Sequence, residues 1–431
     1  MLYGIATATT ALLLAALLSA LLRVPALRLG LVDRRRVRPV PLLGGVAVVA
    51  STCLVAAAGD WTGAAPLSGG VARLLAAGAG VAVLGLVADV WRLKTRLLLV
   101  GAAAAAACVV PYDETGLPMG ILSVVWIACV AAAFRGLDHA DGLAGTVGVL
   151  TAFGVGACAA AEVMDDLAVL LSVLAAALTG FLMHNWHPAR TTFGACGALF
   201  TGFVLASSAV LTRSGYDPVS TAAVLFPLTA TASADALLIV LSRKLARRAV
   251  ARRGPDHLAH RLRRLGLTPQ GATVLIGIGT FSAVLVGVLL HTDWAGRSSV
   301  LWVVGVTLVV VLGLLRVPVY GPRRPADVQT ARRQTGTHGA RRQTDAHGTG
   351  RHESGPVAGN QSAPRGLRSQ EAPLRGPRSQ ADAYEPRGRD PYETRGRDAA
   401  QGPRRQPEYS ARPPRQSTSP QVRGPLRVSD R

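Results

Sequence analysis

The side chains with chemistry to offer are concentrated in one stretch, Phe134-Arg-Gly-Leu-Asp138-His139-Ala-Asp141-Gly142-Leu-Ala-Gly145. Arg135, Asp138, His139 and Asp141 interrupt a chain that is apolar from Ile121 to Ala133 and uncharged from Leu143 to Ala161. Charge in hydrocarbon is costly, so such a cluster belongs at a membrane interface or in a water-filled cleft. A short solvated loop would meet that condition alone. Other stretches of the same character argue for a shared site: Asp89 after Gly85-Leu86, Asn185 and His187 ahead of Pro188-Ala189-Arg190, a lone Asp235 in an apolar run, and Asp256-His257-Leu-Ala-His260-Arg261. Carboxylates flanked by Arg and His at the mouth of a helix bundle can hold a divalent cation and bind phosphate oxygens. That chemistry suits the joining of a soluble phosphate compound to a lipid.

The elements that position these residues are membrane spans. Apolar runs near 4–22, 43–58, 71–87, 97–110, 119–134, 142–161, 167–184, 194–212, 220–242, 272–290 and 299–317 predict eleven of them, with those at 43–58 and 97–110 the shortest of fit. Glycines such as Gly80, Gly85, Gly154 and Gly156 suit close helix–helix approach. The first 22 residues lack a basic leading region and a clear cleavage site, which predicts a retained span. The loops alternate in charge. Those at 23–42, 88–96 and 243–271 are strongly basic, whereas 59–70 and 111–118 carry only acids and 162–166 holds Glu162, Asp165 and Asp166. The positive-inside rule then puts the amino terminus outside, and the site loops and carboxyl tail in the cytoplasm.

The formal charge of +21 would suggest nucleic acid in a soluble protein. Here it lies largely in loops and tail, where it reads as topology signal and contact with anionic lipid, so no nucleic-acid partner is expected. The five cysteines show no paired spacing and predict neither disulfides nor a thiolate metal site. Beyond Tyr320 the chain is rich in Arg, Gly, Pro, Gln and Ser, with Ala331-Arg-Arg-Gln-Thr335 recurring at 340–344. Such a segment cannot bury enough apolar surface to order itself. The expected fold is therefore all-α: a polytopic bundle of eleven transmembrane helices over 1–320, with a disordered cytoplasmic tail over 321–431.

With these residues in order, the chain resembles the polyprenyl-phosphate sugar-1-phosphate transferases, the family that includes phospho-N-acetylmuramoyl-pentapeptide transferase and enzymes transferring N-acetylglucosamine 1-phosphate. The likeness runs from about 30 to 268. The family's Pro-x-Pro-x-x-Gly-Gly turn is matched at Pro39, Pro41, Gly44 and Gly45, and its Gly-Leu-x-Asp-Asp motif at Gly85, Leu86 and Asp89. Asn-x-x-Asp-Gly-x-Asp-Gly is matched at Asp141, Gly142 and Gly145, with Asp138 in the asparagine's place. Asn185, Pro188 and Ala189 fit Asn-x-x-Pro-Ala, Asp235 fits an aspartate of the ninth span, and His257 and His260 fit a histidine motif loosely. Ala88, Ala144, Ala195 and Ala198 stand where the family has three aspartates and a serine.

The resemblance implies attack of a polyprenyl phosphate on a UDP-sugar, with Mg²⁺ at the diphosphate. It implies that Asp89 activates or orients the lipid phosphate, that Asp141 and Asp138 hold the metal in the absence of a carboxylate at Ala195, and that Asn185, Asp235, His257, His260 and Arg261 line the substrate. Each has a plainer reading as well: Asn185 as a helix cap, Asp235 as a partner within the bundle, the basic loop as a topology signal. The resemblance further implies the plasma membrane as location and a second copy of the chain as a partner. Two functions follow, an active transferase with a rearranged acidic site or an inactive relative serving as scaffold or regulator of envelope synthesis; a lipid or sugar carrier is a third. In a background without the native cysteines, Asp89→Cys, Asp141→Cys and His257→Cys should label from the cytoplasmic side and Asp60→Cys from the other. Labelling of the first three from opposite faces would remove the shared site.

Overall fold

The structure is a computed structural model and describes residues 2–33, 40–91, 93–247, 254 and 256–319. Pro39, several loop arginines (Arg34, Arg35, Arg36, Arg38, Arg92) and the tail expected over 321–431 lie outside the described residues. The chain begins with α1 (Leu2–Leu21) and a short α2 (Arg23–Arg28), then an antiparallel ladder of β1 (Val32–Asp33) with β2 (Val40–Pro41). There follow α3 (Gly44–Trp61), α4 (Gly69–Trp91), α5 (Thr95–Ala107), α6 (Tyr112–Leu137), α7 (Leu143–Ala161), α8 (Asp165–Asn185) and α9 (Gly194–Leu211). After them come α10 (Pro218–Leu245), a short α11 (Leu258–Arg264), α12 (Pro269–His291) and α13 (Ser299–Leu315).

Each of the eleven expected spans has its helix, and among the described residues nine helices are long and apolar enough to cross a membrane. The protein is a polytopic membrane protein. The span expected at 43–58 becomes a full helix of 18 residues, whereas the one at 97–110 shortens to 13. Local chemistry explains several boundaries. Asp217 accepts hydrogen bonds from the N–H groups of Val219 and Ser220 with Pro218 at the first helical position, and Thr268 with Pro269 does the same for α12. α6 starts seven residues before its predicted span because a left-handed Gly116 (φ 71°) joins a leading turn to the helix proper.

The core is α9. Nearly every one of its residues is buried, sheathed by α3, α4, α6 and α7, while α1 packs on α8 and α10 on α12 and α13. Its opening sequence, Gly194-Ala-Cys-Gly197-Ala, is small enough to let neighbouring backbones touch it. Two glycines on other helices complete the fit. A Cβ on Gly45 would run into the Phe193 carbonyl and the Gly197 amide, and one on Gly85 would lie 2.6 Å from the Ala195 carbonyl oxygen. β2 aids the docking, since the Pro41 carbonyl accepts from the Thr192 N–H at 2.9 Å and its hydroxyl at 3.0 Å. The up-and-down path then brings the end of α4, the α6–α7 and α8–α9 loops and α11 to one end of the bundle.

Overpacking a tight helix contact costs about 1–3 kcal/mol. Gly85→Ala should therefore lower the thermal stability of the purified protein, whereas Gly80→Ala, whose Cβ would meet nothing within 4 Å, should not. Equal melting temperatures for the two variants would contradict this packing.

Candidate functional site

The first N–H groups of a helix have no partner inside it and carry the positive end of its dipole. At α9 those groups meet carboxylates from elsewhere. Asp89, near the end of α4, accepts from the Ala195 N–H (3.0 and 2.7 Å to its two oxygens) and from the Cys196 N–H at 3.1 Å. Asp138, just after α6, accepts from the Gly194 N–H at 2.9 Å. Two of the acidic residues singled out by spacing are thus brought together at one helix start.

Asp141, in the α6–α7 loop, reaches across to the loop that leads into α9. Its Oδ2 accepts from His187 Nδ1 at 2.8 Å and from the Ala189 N–H at 3.2 Å. Asn185 is only 2% exposed. Its Oδ1 accepts from the Gly142 N–H at 3.0 Å and its Nδ2 donates to the Thr191 carbonyl at 2.7 Å, so it ties the α6–α7 loop to the α8–α9 loop.

Asp235 in α10 is fully buried; its Oδ2 faces His257 Nδ1 at 2.9 Å and its Oδ1 accepts from the Leu258 N–H at 2.8 Å. His139 stacks on His257 with ring centroids 4.0 Å apart, and His260 stands 5.1 Å from His139. Burial above all, then the neighbouring His257, pushes the His139 imidazole down to about 3. The same two causes lower His260, so both rings are neutral at physiological pH.

Arg261 departs from the expected substrate contact. Its guanidinium is 2% exposed and donates to the carbonyls of Asp256 (3.1 Å), Leu314 (2.6 Å) and Val317 (2.9 Å) and to Ser242 Oγ (2.5 Å). Desolvating a guanidinium is costly without such acceptors, and here they come from protein. Arg261 fastens α11 to α10 and α13. Beside it, Arg243 donates to a fully buried Asp256 at 2.8 Å.

Sequence reasoning quoted His139 and His187 without assigning them a part in the site. The signal for His139 was its place inside the charged cluster; His187 is marked only by its nearness to Asn185. The alanines in the family's acidic and serine positions are packed into the core: Ala88, Ala144, Ala195 and Ala198 are each 5% exposed or less.

Removing the Asp89 carboxylate leaves two buried N–H groups without it, and hydrogen bonds to a charged group contribute about 1.5–3 kcal/mol. Asp89→Ala should lower the unfolding temperature more than Asp89→Asn, which keeps one acceptor oxygen. A thermal melt in detergent that ranks them the other way would contradict the cap.

The chain's sequence is similar to those of known proteins. The model for glycosyl transferase family 4 matches residues 71–213, which hold Asp89, Asp138, Asp141 and the start of α9. A Streptomyces coelicolor protein bearing a provisional glycosyltransferase name is 63% identical over 342 residues, 78% of this chain and 83% of that protein. The decaprenyl-phosphate N-acetylglucosaminephosphotransferase of Mycolicibacterium smegmatis is 27% identical, over 69% of this chain and 84% of its own. The phospho-N-acetylmuramoyl-pentapeptide-transferase of Symbiobacterium thermophilum is 32% identical over 41% of this chain and 51% of its own. By sequence, by helical plan and by the order of its motifs, this chain belongs to glycosyl transferase family 4, among the polyprenyl-phosphate sugar-phosphate transferases.

Proposed function

We propose that the protein transfers a sugar 1-phosphate from a UDP-sugar, in the first place UDP-N-acetylglucosamine, to a polyprenyl phosphate at the cytoplasmic face of the plasma membrane, in cell-envelope polysaccharide synthesis. The observation that carries this reading is the gathering of Asp89, from α4, with Asp138 and Asp141, from the α6–α7 loop, around the start of α9 and the loop that enters it. The activity for which the Mycolicibacterium relative is named supports the choice of sugar and lipid class. The reaction forms a bond from a lipid-phosphate oxygen to the β-phosphorus of the UDP-sugar. It breaks the bond from that phosphorus to the bridging oxygen, and UMP leaves.

The donor chemistry fits a hard dication, because Asp138 and Asp141 offer the carboxylate oxygens that Mg²⁺ takes, while the methyl of Ala195 offers none. Those two residues would hold it. What Mg²⁺ supplies when bound is neutralisation of diphosphate charge as it shifts to the leaving group. Asp89 fixes the start of α9 and orients the lipid phosphate. Asn185 holds the two site loops in register, and Arg261 holds α11 against the bundle.

A second reading, an inactive family member kept as a membrane scaffold or regulator, has its own support. Ala88 and Ala195 are buried where the family carries carboxylates, and Asp89 and Asp138 already cap a helix. The test is UMP release from UDP-N-acetylglucosamine by the full chain with polyprenyl phosphate and Mg²⁺. Release is expected, and Asp138→Asn and Asp141→Asn should each reduce it by about 10²–10³-fold, the scale of losing one preorganised electrostatic contact. No UMP from any UDP-sugar, followed by a gain on Ala195→Asp, would replace the first reading by the second.

A further inference from the structure

Away from the carboxylates at α9, the flank formed by α4 and α5 carries a cavity that the site does not use. Ala77 and Gly80 of α4 and Ala105 of α5 line a groove of about 520 Å³, which side chains this small leave unfilled. A Cβ on Gly80 would meet nothing within 4 Å, whereas Leu84 lies against Gly101 and closes the groove across the two helices. Val83 and Val100 beside it are exposed, as side chains that face lipid are.

The groove has a charged mouth. Asp89 stands near the last turn of α4, and Arg73, one turn into the same helix, stands near its other end and borders the groove with Cys108. Arg73 Nε donates to the Gly69 carbonyl at 3.3 Å, which turns the side chain back toward the helix start. Among the described residues no carboxylate lies within ion-pair distance of this exposed guanidinium. A charge near the end of a membrane span reaches for the interface and for anions there. From Arg73 to Leu84 the helix rises about 16 Å, close to the roughly 15 Å of hydrocarbon in one leaflet.

We propose that this groove binds one anionic glycerophospholipid from the leaflet opposite the candidate site, its phosphate on Arg73 and one acyl chain along α4 as far as Leu84 and Gly101. A guanidinium presents paired N–H donors to phosphate oxygens, and an anionic headgroup brings no ammonium to oppose it. A polyprenyl chain is much longer than a groove that Leu84 closes. The site does not depend on the transfer reaction; its physical effect is to fill the gap between α4 and α5.

Cys108 reports occupancy, because its thiol is exposed at the mouth. The full chain, purified in detergent and freed of lipid, is treated with a maleimide, and modification of Cys108 is followed by peptide mass spectrometry. Phosphatidylglycerol should protect Cys108 at about tenfold lower concentration than phosphatidylethanolamine, the scale of one hydrogen bond to a charged group. Arg73→Gln should remove that difference, and Gly80→Leu, which fills the groove, should weaken protection by both lipids. Equal protection by the two lipids, or none, in the wild type overturns the proposal without requiring any variant to fold. So does a preference that survives Arg73→Gln, or protection by polyprenyl phosphate and not by phosphatidylglycerol. Protection that grows with protein concentration in the absence of lipid overturns it too, since a second copy would then cover the groove.

Discussion

The organisation of the site end depends on how the start of α9 is satisfied. In a membrane protein an unpaired N–H at a buried helix start has no water to turn to. α9 is enclosed along its length, so its donors must be met by other helices. Asp89 and Asp138 do this, with their carboxylates at the positive end of the helix dipole. The same contacts set the spacing of α4, α6 and α9, and Gly85 of α4, like Gly45 of α3, faces α9 where any side chain would hold the backbones apart.

From this point the surrounding loops are held by polar crosslinks over long sequence separations. Asp141 reaches His187, Asn185 reaches Gly142 and Thr191, and Asp235 reaches His257. Arg243, Asp256 and Arg261 form a further buried group that closes α11 on the bundle. Charges so enclosed are weak sources of stability against apolar packing, but removing one partner leaves the other stranded. Their contribution here is to the placement of loops.

Much of the architecture was legible because hydrocarbon imposes a length and a composition on each span, and the basic loops mark alternate turns of the chain. The motif order was legible for the same reason, since short stretches such as Gly85-Leu86 or Asn185 fall at fixed places between spans. Convergence was another matter. Spacing cannot say that the Asp89 and Asp138 carboxylates turn to backbone N–H groups, because that depends on α9 arriving between them. Nor can it say that Arg261, in a run of exposed arginines, points inward to the carbonyls at the end of α13 while Arg263 and Arg264 remain exposed. The stacking of His139 on His257 joins loops far apart in sequence, and no local pattern marks it.

One feature of the bundle bears on the lipid around it. α5 has 13 residues, a rise of about 20 Å, against a hydrocarbon thickness of about 30 Å. A helix this short does not match an undeformed bilayer by itself, and such a mismatch is relieved by local thinning, by snorkelling of flanking residues such as Lys94 and Arg96, or by association with another chain. The flank formed by α4 and α5 is therefore where the bundle and its bilayer must adjust to one another.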